Sequence, residues 1–313
     1  MIKKIITYLL IIHMIILSSC DDDDNNYKTP VITEEMETLI DSYAYFNGDK
    51  QSFYATNKKD ADGNRPFNVL TTDWTFETWV KVEEGTTISD KVLESSIVME
   101  QRYVFTLYIS PANPDKPQAD REIKVIDYSQ PNGMGTKIVK VKADYEITYS
   151  KLSNTSSDLE LQSMSTFNNN DIVLLYGDWV HVAITRSSED NTARFFINGK
   201  QVTSSTDDVW ISKSSIGGVN WSATYRGAYY GFTKCEQRKT RISTIARYSA
   251  DFNPDLYKDF EEDKNTLFLL NLKKEEMIDA KNKTPKMLVK GTYPHSVSLR
   301  QNNWQSDRKM IYQ

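Results

Sequence analysis

Apolar and polar residues alternate along several stretches of the chain, a pattern typical of half-buried β-strands. The alternation is clearest at 74–82 and 139–149, and it recurs at 103–109, 122–128 and 180–185. Apart from a short helix expected at 34–43, no long stretch shows the helical period of about 3.6 residues. The hydrophobic pattern therefore predicts a chain made almost entirely of β-strands.

Short polar turns separate these strands. An Asn-Gly pair at 198–199 lies between an apolar stretch, 193–197, and a shorter stretch, 200–202. Asn and Gly tolerate the positive φ angles of a type I′ turn, so the pair predicts a two-residue hairpin. Two later stretches, 266–272 and 294–299, are also predicted to be strands. Many short strands with polar turns favour an all-β fold, a two-sheet antiparallel β-sandwich of the jelly-roll kind with little helix.

The N-terminal segment has the anatomy of an export signal. Two lysines precede an apolar run at 5–17, which is too short to span a bilayer. The tetrapeptide that ends at Cys20, Leu-Ser-Ser-Cys, resembles the lipobox of bacterial lipoproteins. This resemblance implies that residues 1–19 are removed and that Cys20 is acylated.

Four consecutive aspartates follow Cys20 and resemble the export tag of surface-exposed lipoproteins in Bacteroidota-type Gram-negative bacteria. The resemblance implies a protein held on the outer membrane, facing the cell exterior, whose only membrane contact is its lipid anchor. We expect residues 20–33 to be an acidic tether. The length that remains suits one large all-β domain at 34–313.

Charge and cysteine content exclude several classes of protein. The formal net charge is −5, and loss of the signal with its two lysines makes it more negative, which argues against nucleic acid as a partner. Once Cys20 is acylated, Cys235 has no cysteine to pair with. We expect Cys235 to be a structural thiol, because neither His181 nor His295 has a recognisable catalytic setting and no zinc-type spacing is present.

Four segments occur in a characteristic order: an early strand at 76–81, a Trp-x-His-Val-Ala strand at 178–186, a hairpin at 195–200 closed by Asn-Gly-Lys, and a late strand at 241–248. Together they resemble the concanavalin A-like, laminin-G-like jelly-roll family over about residues 65–260. Trp179 and His181 alternate with the apolar residues of their strand. They are expected to pack beneath a loop, although they could instead line an outer surface of the sandwich.

Catalytic chemistry is not supported by the sequence. The resemblance includes glycoside hydrolases, but their paired-carboxylate strand motif is absent, as are a Gly-x-Ser-x-Gly elbow and a P-loop. The nearest acid pairs are Asp144 with Glu146 and Asp120 with Glu122, about 7 Å apart along a strand. Lys140 and Lys142 share the face of the first pair, so a solvated, cross-paired surface is expected there. No catalytic residue is therefore predicted, and the protein is expected not to be an enzyme.

A metal site is left open. Calcium occurs at the rim of many laminin-G-like domains, bound by acidic and backbone oxygens. Asp171, Asp207 and Asp208 could contribute oxygen ligands, but no ligand spacing selects them. No other cofactor is expected.

The richest candidate binding chemistry is a glycine-spaced aromatic segment at 210–232. Flat rings with polar rims suit the apolar faces of sugars, and polar side chains between them could bond hydroxyl groups. The alternative is that these rings pack a long loop onto the sandwich. The candidate carbohydrate-binding residues are Trp210, Asn220, Trp221, Tyr225, Arg226, Tyr229 and Tyr230.

Taken together, the sequence predicts a lipid-anchored surface protein that binds a polysaccharide or other glycan, alongside other outer-membrane glycan-uptake proteins. Two alternatives remain at this point. One is a non-catalytic adhesion module that docks another protein, and the other is a divergent glycoside hydrolase.

Overall fold

The computed structural model describes residues 44–49, 51–70, 72–88, 95–101, 105–113, 121–127, 135–141, 143–151, 163–169, 171–206, 217–225, 229–272, 277–278, 286–287 and 289–301. Within these ranges the chain forms twenty strands and two short 3-10 turns, at Pro66–Val69 and Thr166–Asn168, with no α-helix among them. No helix in the described ranges is long and apolar enough to cross a membrane.

The strands are, in chain order, β1 (Ala44–Asn47), β2 (Gln51–Ala55), β3 (Trp74–Val82), β4 (Ile97–Gln101), β5 (Phe105–Pro111), β6 (Arg121–Asp127), β7 (Gly135–Val141), β8 (Tyr145–Lys151), β9 (Ser163–Ser165), β10 (Trp179–Ser187), β11 (Thr192–Ile197), β12 (Lys200–Ser205), β13 (Val219–Trp221), β14 (Thr224–Tyr225), β15 (Tyr229–Tyr230), β16 (Lys234–Ser243), β17 (Thr266–Leu270), β18 (Met277–Ile278), β19 (Lys286–Met287) and β20 (Val297–Gln301).

Two antiparallel sheets contain most of these strands. The seven-stranded sheet has the order β1-β16-β3-β10-β11-β12, with β17 also paired to β16. The nine-stranded sheet has the order β18-β19-β20-β2-β13-β4-β5-β8-β9. Two further pairs, β6-β7 and β14-β15, form separate two-stranded ribbons. The predicted all-β, two-sheet architecture is confirmed.

One apolar core lies between the two sheets. Phe76 of β3 meets Phe105 of β5 edge to face, with ring centroids 4.7 Å apart. Trp221 of β13 stacks on Phe268 of β17 at 5.2 Å. Each pair joins a residue of one sheet to a residue of the other, so alternate residues of both sheets bury the same core.

Most predicted strands are found, with two corrections. The stretch 139–149 is not one strand, because β7 ends at Val141 and β8 begins at Tyr145. The late strand predicted at 241–248 begins earlier, at Lys234, and ends at Ser243, after which the chain leaves the sheet. The later strand β17 pairs with β16 in the seven-stranded sheet, and β20 pairs with β2 in the nine-stranded sheet. Strands from the C-terminal part of the chain therefore belong to both sheets of the sandwich. The helix expected at 34–43 lies outside the described residues.

The predicted Asn-Gly hairpin is confirmed. Asn198 and Gly199 have φ angles of 50° and 77°, as a type I′ turn requires. The carbonyl of Gly199 accepts the N–H of Phe252 at 2.9 Å. A Cβ at position 199 would lie 1.8 Å from the Phe252 carbonyl oxygen, so the turn is also a close contact between two chain segments.

We expect Gly199→Ala to destabilise the protein more than Gly85→Ala. Gly85 has a φ of 85°, but a methyl group added to it would meet nothing within 4 Å, so the control carries only the left-handed backbone cost, about 1–2 kcal/mol. Gly199→Ala adds a backbone clash worth about 1–3 kcal/mol more. Chemical denaturation of both variants measures the difference, and equal losses would contradict the close contact.

Candidate functional site

The outer face of the seven-stranded sheet is covered by residues 244–263, which we call the strap. Trp79 and Trp179 are buried against Leu256 of the strap, and Phe260 packs on this cluster. The ring of His181 meets that of Trp79 edge to face, at a centroid distance of 5.1 Å. The expectation that Trp179 and His181 pack beneath a loop is therefore confirmed.

A buried carboxylate joins the strap to the sheet. Oε1 of Glu77 accepts the Nε–H of Arg241 at 2.7 Å, and Oε2 accepts the hydroxyl of Tyr248 at 2.7 Å. Nε2 of His181 lies 3.3 Å from the same Oε2. Glu77 and His181 are completely out of solvent contact. Three elements of the sheet and the strap thus meet at one carboxylate.

The ionisation of this group follows from its partners. Burial raises the pKa of Glu77, but the hydrogen bond from His181 and the charge of Arg241 outweigh burial and hold that pKa below its ordinary value. Burial and the negative charge of Glu77 raise the pKa of Tyr248, which therefore remains a hydroxyl donor. Glu77 is therefore a carboxylate at neutral pH, and it accepts a hydrogen bond from the neutral hydroxyl of Tyr248.

A lysine holds the strap at a second point. Nζ of Lys239 donates to the carbonyl oxygens of Leu256 and Lys258, and lies 3.4 Å from that of Asp255. Lys239 is fully buried and has a φ of 44°, at a bulge in β16. The ammonium exchanges its hydration for backbone oxygens, so Lys239 holds the strap against the sheet.

The outer face of the nine-stranded sheet has a different character. Asn220, Glu100, Thr106 and Ser150 are paired one to the next across β13, β4, β5 and β8. Directly paired residues share a face, and this row extends over three strand spacings, about 14 Å. We call this row, together with Ser110, Glu146 and Thr148, the polar face. Every member is at most 8% exposed.

Several oxygen atoms of the polar face are not used by the fold. Oδ1 of Asn220, Oγ1 of Thr106 and Oγ of Ser150 have no hydrogen-bond partner among the described residues. Amide and hydroxyl groups of this kind form hydrogen bonds with hydroxyl-rich ligands. Their low exposure means that these oxygen atoms are shielded from bulk water, so each one without a donor costs stability.

The acid pair of β8 differs from its prediction. Glu146 is fully buried and accepts the hydroxyl of Thr166 at 2.5 Å, whereas Asp144 lies outside the strand, exposed, and accepts the N–H of Tyr176 at 2.8 Å. The expected solvated row of charges is therefore corrected. The reason is the break between β7 and β8, which removes Asp144 from the strand that carries Glu146.

The described part of the aromatic segment divides between β13 and the ribbon of β14 and β15. Trp221 is 1% exposed and stacks on Phe268, and Asn220 is equally buried on the polar face. Trp221 is therefore reassigned from the ligand surface to the core. Trp210 and Arg226 lie outside the described residues.

The remaining tyrosines lie in the ribbon formed by β14 (Thr224–Tyr225) and β15 (Tyr229–Tyr230), which we call the tyrosine hairpin. Tyr225 pairs with Tyr229 in its register, and Thr224 with Tyr230. The N–H of Ile97 donates to the carbonyl of Gly231 at 2.7 Å, which fixes the base of the hairpin on β4. The hairpin thus leaves the nine-stranded sheet at one end of the polar face.

Two other candidate residues, Cys235 and Asp171, have structural explanations. Burial raises the pKa of Cys235 to about 12, so it is a structural thiol rather than a nucleophile. Asp171 pairs with Lys200 at 3.2 Å, and Asp207 and Asp208 lie outside the described residues. Within the described ranges, no three His, Cys, Asp or Glu side chains gather to form a metal site.

Sequence reasoning missed the polar face and the Glu77 network. A signal for the first was present, since Thr106 and Ser110 occupy the polar positions of an alternating strand. A signal for the second was Glu77 itself, a charged residue in the middle of the apolar strand β3. Neither signal by itself shows which outer face is covered, because that depends on the strap.

No protein-family model and no curated protein matches the chain. Among solved structures, it is similar to a Bacteroides ovatus protein to which carbohydrate binding is ascribed, with a TM-score of 0.45 and 14% identity over 84% of this chain. The chain spans 58% of the length of that protein.

Two further solved structures are similar over about two thirds of this chain. A pentraxin of Limulus polyphemus has a TM-score of 0.40 and 12% identity, over 67% of this chain and 79% of its own. A Ruminococcus gnavus sialidase module bound to α2,3 sialyllactose has a TM-score of 0.37 and 10% identity, over 66% of this chain and 92% of its own. Similarities of this size define neither a family nor a function.

We expect Glu77→Gln to destabilise the protein by about 3 kcal/mol at pH 7, because Arg241 loses the carboxylate that balances its charge beneath the strap. The lowered pKa of Glu77 means that the unfolded chain binds more protons between that pKa and 4.5. As pH decreases through this range, the wild-type protein therefore loses stability. The difference in unfolding free energy between the wild type and Glu77→Gln becomes smaller. Denaturation curves from pH 7 to pH 3 measure this difference.

The matched control is Glu189→Gln, which removes the same charge from an exposed turn. It should change stability by less than about 0.5 kcal/mol at any of these pH values. The Glu77 network would be contradicted if Glu77→Gln lost equally little stability, or if its loss of stability stayed constant from pH 7 to pH 3.

Proposed function

We propose that this chain is a carbohydrate-binding protein and that the polar face is its binding surface. The observation that carries the proposal is the contrast between the two outer faces of the sandwich. The strap covers one face, whereas the other carries a continuous row of amide, carboxylate and hydroxyl groups, in which oxygen atoms of Asn220, Thr106 and Ser150 have no hydrogen-bond partner among the described residues. A ligand rich in hydroxyl groups matches that row.

The tyrosine hairpin supports the same location. It begins where β13 ends and is fixed on β4, beside the polar face. Tyr225 and Tyr229 are direct partners in its register, so both positions lie on one face of the ribbon. Tyrosine combines an apolar ring with a polar rim, the chemistry that a sugar ring requires. We propose that these tyrosines and the polar face contact the same glycan.

We further propose that the protein acts on the cell surface. The export signal, Cys20 and the aspartates that follow support a lipid anchor on the outer membrane and a tether that carries the domain outward. A single acyl chain gives only marginal membrane binding, so more than one chain is required for stable anchoring. In this position the domain would capture glycan for neighbouring uptake proteins.

We expect Thr106→Val to weaken glycan binding about three- to tenfold without loss of stability. The substitution nearly preserves volume, and Oγ1 of Thr106 makes no hydrogen bond within the described structure, so folding loses nothing with it. Affinity electrophoresis in gels containing amylopectin, arabinoxylan, β-glucan, mannan or galactan measures binding, with thermal unfolding as the stability check.

The control is Thr203→Val on the edge strand β12, which lies in the other sheet. It should bind as the wild-type protein does. Failure of the wild-type protein to be retarded by any of the five polysaccharides, or equal retardation of both variants, would contradict the proposed surface.

We expect Cys20→Ser to abolish lipidation. Cells labelled with radioactive palmitate should incorporate label into the wild-type protein and into Cys235→Ser, but not into Cys20→Ser, because Cys235 is buried and keeps its thiol. After membrane fractionation, Cys20→Ser should be found in the soluble fraction. Incorporation of label into Cys20→Ser would show that Cys20 is not the acylated residue.

A further inference from the structure

The 3-10 turn at Thr166–Asn168 presents an aromatic ring to solvent. Phe167 is 39% exposed, and Val69 is the only other large apolar side chain among the described residues with comparable exposure. A single exposed apolar residue needs no explanation in general. The way in which this one is held distinguishes it.

Both backbone groups of Phe167 are fixed by side chains. Its N–H donates to Oγ of Ser165 at 3.1 Å, and its carbonyl accepts from Nδ2 of Asn113 at 3.4 Å. The turn is tied to the sheet again through Thr166, whose hydroxyl donates to Glu146. The ring is therefore held in solvent by a rigid support, which reduces the entropy lost when a ligand stacks on it.

Hydroxyl groups of the polar face lead directly to this turn. Oγ of Ser110 lies 2.9 Å from Oγ1 of Thr148, which lies 2.8 Å from Oγ of Ser165. Three hydroxyl groups bring three protons, and the two bonds between them use two. One proton therefore remains, and it lies on Ser165, which is partly exposed beside Phe167, when Ser110 donates to Thr148 and Thr148 donates to Ser165.

We propose that Phe167 is a stacking platform for a sugar ring, at the opposite side of the polar face from the tyrosine hairpin. This inference rests on the proposed function and deepens it. The hairpin follows β13 and Phe167 follows β9, four strand spacings away, about 19 Å. Both elements leave the sheet at the same end, since β13 and β9 run in the same direction. A ligand that contacts both is an oligosaccharide chain rather than a terminal sugar.

The test compares Phe167→Ala, Phe167→Trp and Val69→Ala. On the polysaccharide that retards the wild-type protein most, Phe167→Ala should bind about three- to tenfold more weakly. Phe167→Trp should bind at least as well as the wild type, and Val69→Ala should bind equally well. Because both native side chains are exposed, thermal unfolding should be nearly unchanged in all three.

Chain length provides the second readout. With oligosaccharides cut from the same polysaccharide, calorimetry should show a Phe167→Ala defect for long chains and none for the disaccharide. If Phe167→Ala binds glycan normally while Thr106→Val binds it more weakly, the stacking role of Phe167 would be overturned. The proposal that the polar face binds glycan would stand. Absence of all wild-type binding would overturn both. Loss of binding to a protein partner, with glycan binding intact, would assign Phe167 to protein docking instead.

Discussion

The carboxylate of Glu77 is the interaction on which the arrangement of this protein depends. It lies in the middle of the seven-stranded sheet, out of contact with water, and brings together a strand on either side and the strap. A buried charge is costly to desolvate, and its partners must be well placed to compensate. Here Arg241, Tyr248 and His181 occupy those places, so the strap has one position in which the charge is satisfied.

This network specifies structure more than it adds stability. Well-packed apolar side chains in its place could stabilise a sandwich equally well, but they would not fix the strap to one register. Apolar contacts are non-directional, whereas hydrogen bonds to a carboxylate have a defined geometry. The rings of the strap add to this, with Tyr248 and Phe252 stacked at a centroid distance of 3.6 Å. The directional contacts set the position, and the rings then exclude water.

The sequence predicts the scaffold well because alternation and turn chemistry are local. The strand β3 and the Asn198-Gly199 turn follow from neighbouring residues alone. The faces are harder to assign. Trp221 has the appearance of a binding aromatic, yet the pairing of β13 between β2 and β4 turns it inward onto Phe268. That pairing is made by residues distant in sequence, and so are the contacts of Glu77 and the turn that holds Phe167.

The two outer faces of the sandwich differ in how their polar groups are satisfied. Beneath the strap, every oxygen of Glu77 has a donor, and the face is rigid and closed. On the polar face, oxygen atoms of Thr106 and Ser150 are held out of water without a partner among the described residues, which costs stability. Apolar residues at the same positions would remove that cost. The face beneath the strap differs in a second way, because Leu256 of the strap completes an apolar cluster with Trp79 and Trp179 that the sheet on its own would lack.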